Sequence, residues 1–452
     1  MSDWRDLSIW QELARPERAA FIALAESIDP REASQVARLR RAVGEGQGAS
    51  DAKLASALDA TALTAAALTS AALASAAFEL VEGRRRAARK FEPAMAARLW
   101  CDVAGVEQAS GIAVARWKAR RMVESLGAGA SIFDICAGIG GDAMALAEAG
   151  LSVEAIDLDP RRAWMTAQNA RCVTRVADAE AIDLAGIALH ADPARRDESA
   201  GRRSWNLDDH QPGRAWIERA LTTARAAAIK FSPGVDRAAF GQLNRGIAWE
   251  WIADGNRLVQ AVAWSGDFAG DDGTAGRTRA TLLADVTYTI AGIPDGARAD
   301  RLRVAEAITR GMTDGMTDGM TDGMTDGMFI SEPIAAIERA ELLTEAAGAN
   351  DAAQEIARGL GLVVSRAPLA TPWFESFEII DECAAREDAV LATLKRHALV
   401  ARSVRVRGRA ADADAFTRAL SARPDGNAVV FIFREGKRAR CFIASALVAR
   451  AR

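Results

Sequence analysis

The residues most able to do chemistry are four aspartates, each near the end of a short apolar run. Asp134 opens Asp134-Ile-Cys-Ala-Gly-Ile-Gly-Gly-Asp142, and Asp157 closes Val153-Glu-Ala-Ile156. Asp178 lies in Val176-Ala-Asp-Ala179, and Asp192 lies in His190-Ala-Asp-Pro-Ala-Arg-Arg196. Glycines such as Gly138 and Gly140, set between a strand and a helix, let the backbone pass close to a ligand and offer amides at a helix N-terminus. Gly138-Ile-Gly-Gly-Asp-Ala143 also fits the GxGxxG/A pattern of dinucleotide sites. On that pattern alone a nicotinamide oxidoreductase stays open.

The aspartates narrow the choice. An anion at Asp134, just ahead of the glycines, opposes a pyrophosphate and suits the positively charged amino-acid end of S-adenosylmethionine. Asp157, ending a second strand, can take both ribose hydroxyls. Asp178 falls where a third-strand loop can accept a hydrogen bond from the adenine amine. Each aspartate alone serves equally as a turn or cap residue. In this order and spacing they point to S-adenosylmethionine as cofactor.

Asp192 ends a fourth strand, and in doubly wound folds the carboxyl ends of the strands line the ligand crevice. A carboxylate there can accept a hydrogen bond from an exocyclic amine or take its proton. Asp192 and Pro193 are therefore the expected catalytic positions. Arg195 and Arg196 either meet phosphate or brace the loop. Lys230-Phe-Ser-Pro-Gly234 shapes the same rim, whereas His190 and Cys136 read as packing residues.

These residues need a scaffold, and the periodicity supplies one. Residues 1–120 lack strand signals and carry Ala/Leu/Arg stretches with Leu54, Leu58, Leu73 and Phe78 near helical spacing, which predicts a helical module. It ends in the basic run Arg84-Arg-Arg-Ala-Ala-Arg-Lys90, a solvated helix face or a phosphate-binding surface. From Ser131 strands at Ile132–Ile135, Val153–Ile156, Ile187–His190, Ala227–Phe231, Leu258–Trp264 and Thr281–Ile290 alternate with helices. That alternation predicts an α/β fold with a Rossmann-like, doubly wound parallel sheet over 121–295. The last two strands, lacking a helix-length gap, are expected to pair as an antiparallel hairpin. Four Gly-Met-Thr-Asp repeats from Gly311 mark residues 296–328 as a linker, because glycine at every fourth position disfavours a helix and the EF-hand spacing is missing. Residues 329–452, with strands at Val404–Arg407 and Val429–Phe433, read as a separate small α+β domain.

Composition excludes several classes. Half of the 452 residues are apolar and 26% are charged, which is too apolar for wholesale disorder. Five scattered cysteines without a CxxC pair fit a reducing, cytoplasmic setting and argue against a disulfide framework or a zinc site. No metal is expected. No apolar run of about 18 residues escapes polar interruption, so no membrane span is expected. The net charge is −4, yet Asp381 to Arg452 holds 15 Lys+Arg against 8 Asp+Glu, a net of +7. A basic tail on an acidic body points to a polyanion met by that tail. Arg405 and Arg407, with Arg409, alternate along one strand face where they can contact phosphates.

Taken together, the motifs resemble bacterial class I S-adenosylmethionine-dependent methyltransferases that carry a C-terminal THUMP-like domain. The markers are Arg84–Phe91, Val106-Glu-Gln-Ala109, the glycine loop, Asp192-Pro-Ala-Arg-Arg196, Lys230-Phe-Ser-Pro-Gly234, Glu250-Trp-Ile252, Ile330-Ser-Glu-Pro333, Glu338-Arg-Ala340 and Val404-Arg-Val-Arg407. The resemblance covers about residues 75–452 and implies a methyltransferase with an appended RNA-binding module, hence an RNA substrate. It carries the cofactor contacts to Asp134, Gly138, Gly140, Asp157 and Asp178. The sequence departs from the related amine-methylating pattern Asp/Asn-Pro-Pro-aromatic, since Ala194 and Arg195 replace the second proline and the aromatic. Two alternatives stand beside it: methylation of a protein or small molecule, and an RNA-binding protein that keeps the cofactor fold without turnover.

Overall fold

The computed structural model describes residues 5–28, 60–195, 207, 210–274, 276–298, 300–304, 327–348 and 353–446. The Gly-Met-Thr-Asp repeats at 311–326, Arg196, Leu54 and Leu58 lie outside the described residues, as does the side chain of Arg195. The chain divides into two compact units. One comprises Met1–Ile247 with Val262–Gly273, and the other Ala248–Ala261 with Thr274–Arg452. No helix among the described residues is long and apolar enough to cross a membrane.

The first unit is built on parallel strands β1 (Ser131–Ile135), β2 (Ser152–Asp157), β3 (Val173–Val176), β4 (Ala188–Ala191) and β7 (Ala226–Phe231), ordered β7-β4-β1-β2-β3. Two-residue strands β5 (Ala194–Arg195) and β6 (His210–Gln211) pair beside them. β1, β4 and β7 are buried on both faces, as Ile132, Ile135, Leu189, Ala227 and Ile229 show. Such strands read as apolar runs rather than alternating ones. The chain runs outward from β1 through β2 to β3, then crosses back to β4 on the other side of β1. That reversal opens a crevice at the carboxyl ends of β1 and β4.

Helices precede the sheet. The longest described, Ala60–Ala87, buries Leu73, Ala76, Ala77 and Leu80. The basic run at its end is structural. Arg84 donates to the carbonyl of Leu99 and pairs with Glu26, Arg86 pairs with Glu82 and Glu107, and the Lys90 ammonium donates to the carbonyls of Val106, Glu107 and Ala109.

In the second unit, β8 (Ala248–Asp254) pairs in parallel with β10 (Thr278–Leu283), and β10 pairs antiparallel with β11 (Tyr288–Gly292). Strand β9 (Arg257–Gly266) is cut by the division between units. The single strand expected over Thr281–Ile290 is thus two strands. The hairpin lies inside that segment, not between it and Leu258–Trp264. A bend at Ala284–Val286 interrupts a pattern whose apolar residues run straight through it. Strand β8, unassigned from sequence, is hidden by Glu250, a buried carboxylate in the middle of Ala-Trp-Glu-Trp-Ile.

A seven-stranded sheet follows, made of β12 (Phe329–Pro333), β13 (Gln354–Glu355), β14 (Val363–Ser365), β15 (Phe374–Ala384), β16 (Ala401–Arg407), β17 (Ala428–Glu435) and β18 (Arg438–Ser445), ordered β13-β14-β12-β15-β18-β17-β16. Only β16 and β17 run parallel, joined through the Ala413–Ala419 helix. The run Val429-Val-Phe-Ile-Phe433 serves two cores. Val429, Phe431 and Phe433 enter one with Phe377 and Phe442, while Val430 and Ile432 enter the other with Val390, Leu394 and Ile443. Trp373 and Phe374 are core residues here. Replacing the fully buried Phe431 by alanine leaves a ring-sized void. Phe431→Ala is expected to lower unfolding free energy by about 3–5 kcal/mol, read from the urea midpoint at unchanged slope.

Candidate active site

The loop after β1 needs backbone that most residues resist. Cys136, Gly138 and Gly140 all have positive φ, at 60°, 62° and 82°. Gly140 caps the Gly141–Glu148 helix, and a Cβ on it would stand 3.1 Å from the Cα of Thr166. The Pro160–Ala170 helix grips the loop from that side. The Thr166 hydroxyl donates to the Gly138 carbonyl at 3.0 Å, and the Asn169 amide donates to the Ile139 carbonyl at 2.8 Å. From the other side the Val103–Gln108 helix packs so close that a Cβ on Gly105 would lie 2.4 Å from Ile139.

Asp157 ends β2 as expected and is tied to the loop. One oxygen accepts from the Gly138 amide at 2.8 Å and the other from the Asp159 amide at 2.9 Å. Burial lifts its carboxyl above the usual range, against the pull of those two amides. A carboxylate oxygen accepts more than one hydrogen bond, so these contacts leave capacity for a ligand hydroxyl. Asp178 is exposed and accepts from the Glu180 amide at 2.9 Å, capping a short turn. Asp192 is half-buried, with its Oδ2 2.5 Å from the Lys230 Nζ, which also donates to the Gln108 carbonyl at 3.0 Å. Pro193 is buried.

Cys136 lies in the loop itself. Its thiol is pushed up by burial first and then by the charges of Asp157, Asp192, Asp134 and Asp178. All four sequence-selected carboxylates contribute to that direction, and negative charge at the loop repels a pyrophosphate and fits a cationic ligand.

Asp134 is buried, and its surroundings differ from expectation. His190, read as a packing residue, sits opposite it in register and brings Nδ1 to 2.7 Å from Asp134 Oδ1. The Nε2 of His190 lies 2.9 Å from the ammonium of Lys118. Lys118 in turn lies 2.7 Å from Asp142 Oδ1. The Ser110 hydroxyl donates to Asp142 Oδ2 at 2.9 Å. Burial works against the charge on Asp142, but the neighbouring cations, Lys118 foremost, outweigh it and hold that carboxyl well below the usual range. Burial lifts Asp134, which His190 and Lys118 only partly oppose, and Asp134 Oδ2 has no hydrogen-bond partner. An orphaned, buried carboxylate oxygen beside the glycine loop fits the ammonium of a bound amino-acid group.

Sequence reasoning missed Lys118, Ser110 and Asp142. One signal was available. The chain has six lysines against 51 arginines, and Lys118 falls in a helix between the buried Ala115, Ala119 and Met122. Arg405 and Arg407, expected to face phosphates, are instead held by carboxylates. Both pair with Glu332; Arg405 also pairs with Glu375, and Arg407 with Glu338. Arg405 further stacks 4.7 Å from the Phe377 ring centroid.

A strand, a left-handed glycine loop and a helix, with carboxylates at successive strand ends, define an α/β methyltransferase-like fold. The chain is similar to an uncharacterized S-adenosylmethionine-dependent methyltransferase of Mycobacterium tuberculosis strain CDC 1551. The two are 28% identical over 362 residues, covering 78% of this chain and 90% of the relative. The counterpart in strain H37Rv matches to the same extent. A crystal structure from Porphyromonas gingivalis W83, described as a candidate methyltransferase, superimposes with a TM-score of 0.59 at 15% identity, over 83% of this chain and 91% of that one. That likeness is one of fold. No family model matches the chain.

Gly140→Ala combines a left-handed φ with a clash against Thr166 backbone and side chain. It is expected to cost about 1–3 kcal/mol of stability, seen as a lower thermal midpoint. Gly186→Ala, also at positive φ but with open space around it, is the control and loses only the backbone part.

Proposed function

We propose that the chain is an S-adenosylmethionine-dependent methyltransferase acting on structured RNA in the cytoplasm. The observation that carries the methyl-transfer reading is the placement of Asp134, on β1 with a buried unpartnered Oδ2, and Asp157, at the end of β2 and bonded to the Gly138 amide, at a left-handed glycine loop in the crevice of a methyltransferase-like sheet. The relatives named as S-adenosylmethionine-dependent methyltransferases support it. Bound there, the cofactor supplies an electrophilic methyl group on a sulfonium. Asp134 takes the cofactor's ammonium, Gly138 and Gly140 allow close approach, Asp157 takes the ribose hydroxyls and Asp178 the adenine amine.

The protein's work on the acceptor is chiefly orientation. Lys230 pins Asp192 while itself anchored on the Gln108 carbonyl, so the carboxylate is placed before an acceptor arrives. Asp192 then accepts a hydrogen bond from an acceptor N–H or O–H and takes the proton that methylation makes acidic. Buried Pro193 stiffens the strand exit that sets this position.

RNA as substrate is supported by the resemblance of residues 329–452 to THUMP-like modules and by the net charge of +7 over Asp381 to Arg452. With Arg405 and Arg407 neutralised, the cations available to phosphate are others. Arg402, Arg409, Arg434, Lys437 and Arg438 are exposed, the last three around the turn between β17 and β18.

Calorimetric titration with S-adenosylhomocysteine tests the cofactor site. The wild-type chain is expected to bind, Asp157→Ala to lose at least about tenfold in affinity, and Asp192→Ala to keep binding while methyl transfer to an RNA pool falls by about 10²–10⁴-fold. Failure of the wild type to bind would sink the reading. For the RNA partner, alanine at Arg434, Lys437 and Arg438 together is expected to weaken RNA binding and flatten its logarithmic salt slope by about one unit per cation removed. Unchanged RNA affinity would remove this turn from the interface, with cofactor titration as the folding control.

A further inference from the structure

The buried chain of side chains beneath the glycine loop does more than fill space. It runs Asp134–His190–Lys118–Asp142, with Ser110 on its far end, and every member is buried. Its protonation follows from its partners. Lys118 lies against the Asp142 carboxylate, and an ammonium only donates, so His190 Nε2 must accept. The imidazole proton then sits on Nδ1 and is donated to Asp134 Oδ1. The ring is neutral, and its tautomer is set from the far side by Lys118.

Charge counting gives the consequence. In the form that receives a cation, Asp134 and Asp142 are anions, Lys118 is one cation, and His190 is neutral. One negative charge is left over in a dry pocket, where an uncompensated ion is costly. It falls at Asp134, since Asp142 is paired with Lys118 while Asp134 Oδ2 has no partner. Register explains why His190 can do this. It stands directly opposite Asp134 across the parallel β1–β4 pair, two residues ahead of Asp192, which follows the end of that strand.

We propose that His190, with its tautomer set by Lys118, is a positioning residue that pins Asp134 through Oδ1 and leaves Oδ2 to receive the cofactor's α-ammonium. The proposal rests on the methyltransferase reading and adds to it a residue pair that touches no ligand. The pair acts on one end of the cofactor only. Its removal must therefore weaken ligands that carry the amino-acid group and spare those that lack it. A residue that merely holds the fold would affect both alike.

The test is calorimetric binding of two ligands to the full-length chain. S-adenosylhomocysteine carries the α-ammonium, and 5′-methylthioadenosine has the same nucleoside with a methyl in place of the amino-acid group. Wild type is expected to prefer the first. His190→Leu is expected to weaken S-adenosylhomocysteine by roughly 10–100-fold while leaving 5′-methylthioadenosine within about threefold. His190→Gln, whose amide can donate to Asp134 and accept from Lys118, is expected to recover most of that loss. Lys118→Met attacks the pair from the other end and is expected to show the same selective loss, so either variant decides the matter if the other does not fold. Parallel loss of both ligands in the soluble variants, or no loss of either, overturns the proposal and leaves the methyltransferase reading intact. Equal affinity of the wild type for the two ligands does the same. Binding of neither ligand by the wild type overturns the methyltransferase reading and the proposal with it.

Discussion

Keeping a carboxylate charged in the dry interior at the end of β1 is the constraint on which this site depends. Burial alone drives Asp134 toward its protonated form. The elements around it bear on that drive from several sides. β4 offers His190 at the matching register position, and the Ile112–Leu126 helix brings the ammonium of Lys118 behind it. The Gly141–Glu148 helix contributes Asp142, whose own charge works against that of Asp134 but which pairs with Lys118, and its amino end adds a favourable dipole. Removing any one of these leaves an unpaired ion in the core rather than a simple gap, which explains why so many polar groups are held at one place in an otherwise apolar sheet.

The helices ahead of the sheet serve the same loop. Gly105 is small because Ile139 of the glycine loop lies against it, and the Trp100 carbonyl shares the Asn169 amide with Ile139. Asp102, itself buried, pairs with Arg161 and Arg162 at the start of the Pro160–Ala170 helix. Lys90 closes the arrangement by capping the end of the Val103–Gln108 helix with three hydrogen bonds. A loop with three left-handed residues in a row of five is intrinsically poor in local stability. Here it is over-determined by contacts from both sides, so the geometry a ligand needs exists before the ligand binds.

Much of this was legible in the sequence where a local signal and the tertiary demand coincide. The strand–glycine loop–helix unit is local, and Ile132–Ile135, the glycines and the following helix fall where periodicity places them. Asp157 and Asp192 are local too, because a carboxylate just past an apolar run lies at a strand end whatever the fold. Lys118 and Asp142 were illegible because their meaning is a distance between elements 24 residues apart in the chain. His190 was misread because a histidine inside an apolar strand looks the same whether it packs or bridges. Strand β8 was lost to Glu250, whose hydroxyl partner Thr281 lies 31 residues further on.

The arginines of β16 show why net charge and free charge must be separated. Alternation along the strand correctly puts Arg405 and Arg407 on one face, but a face is not a surface. On β12 and β15, Glu332 and Glu375 meet that face, and the guanidinium of Arg405 flattens over Phe377 and Phe431. A planar cation stacked on rings and held by carboxylates is structural cement, and pulling it toward a phosphate would strand two acids. Positive charge able to act at a distance is left to exposed residues at edges and turns: Arg402 and Arg409 near the edge strand, and Arg434, Lys437 and Arg438 at the β17–β18 turn. A polyanion drawn to this domain therefore meets its rim rather than the face that the alternating pattern suggests.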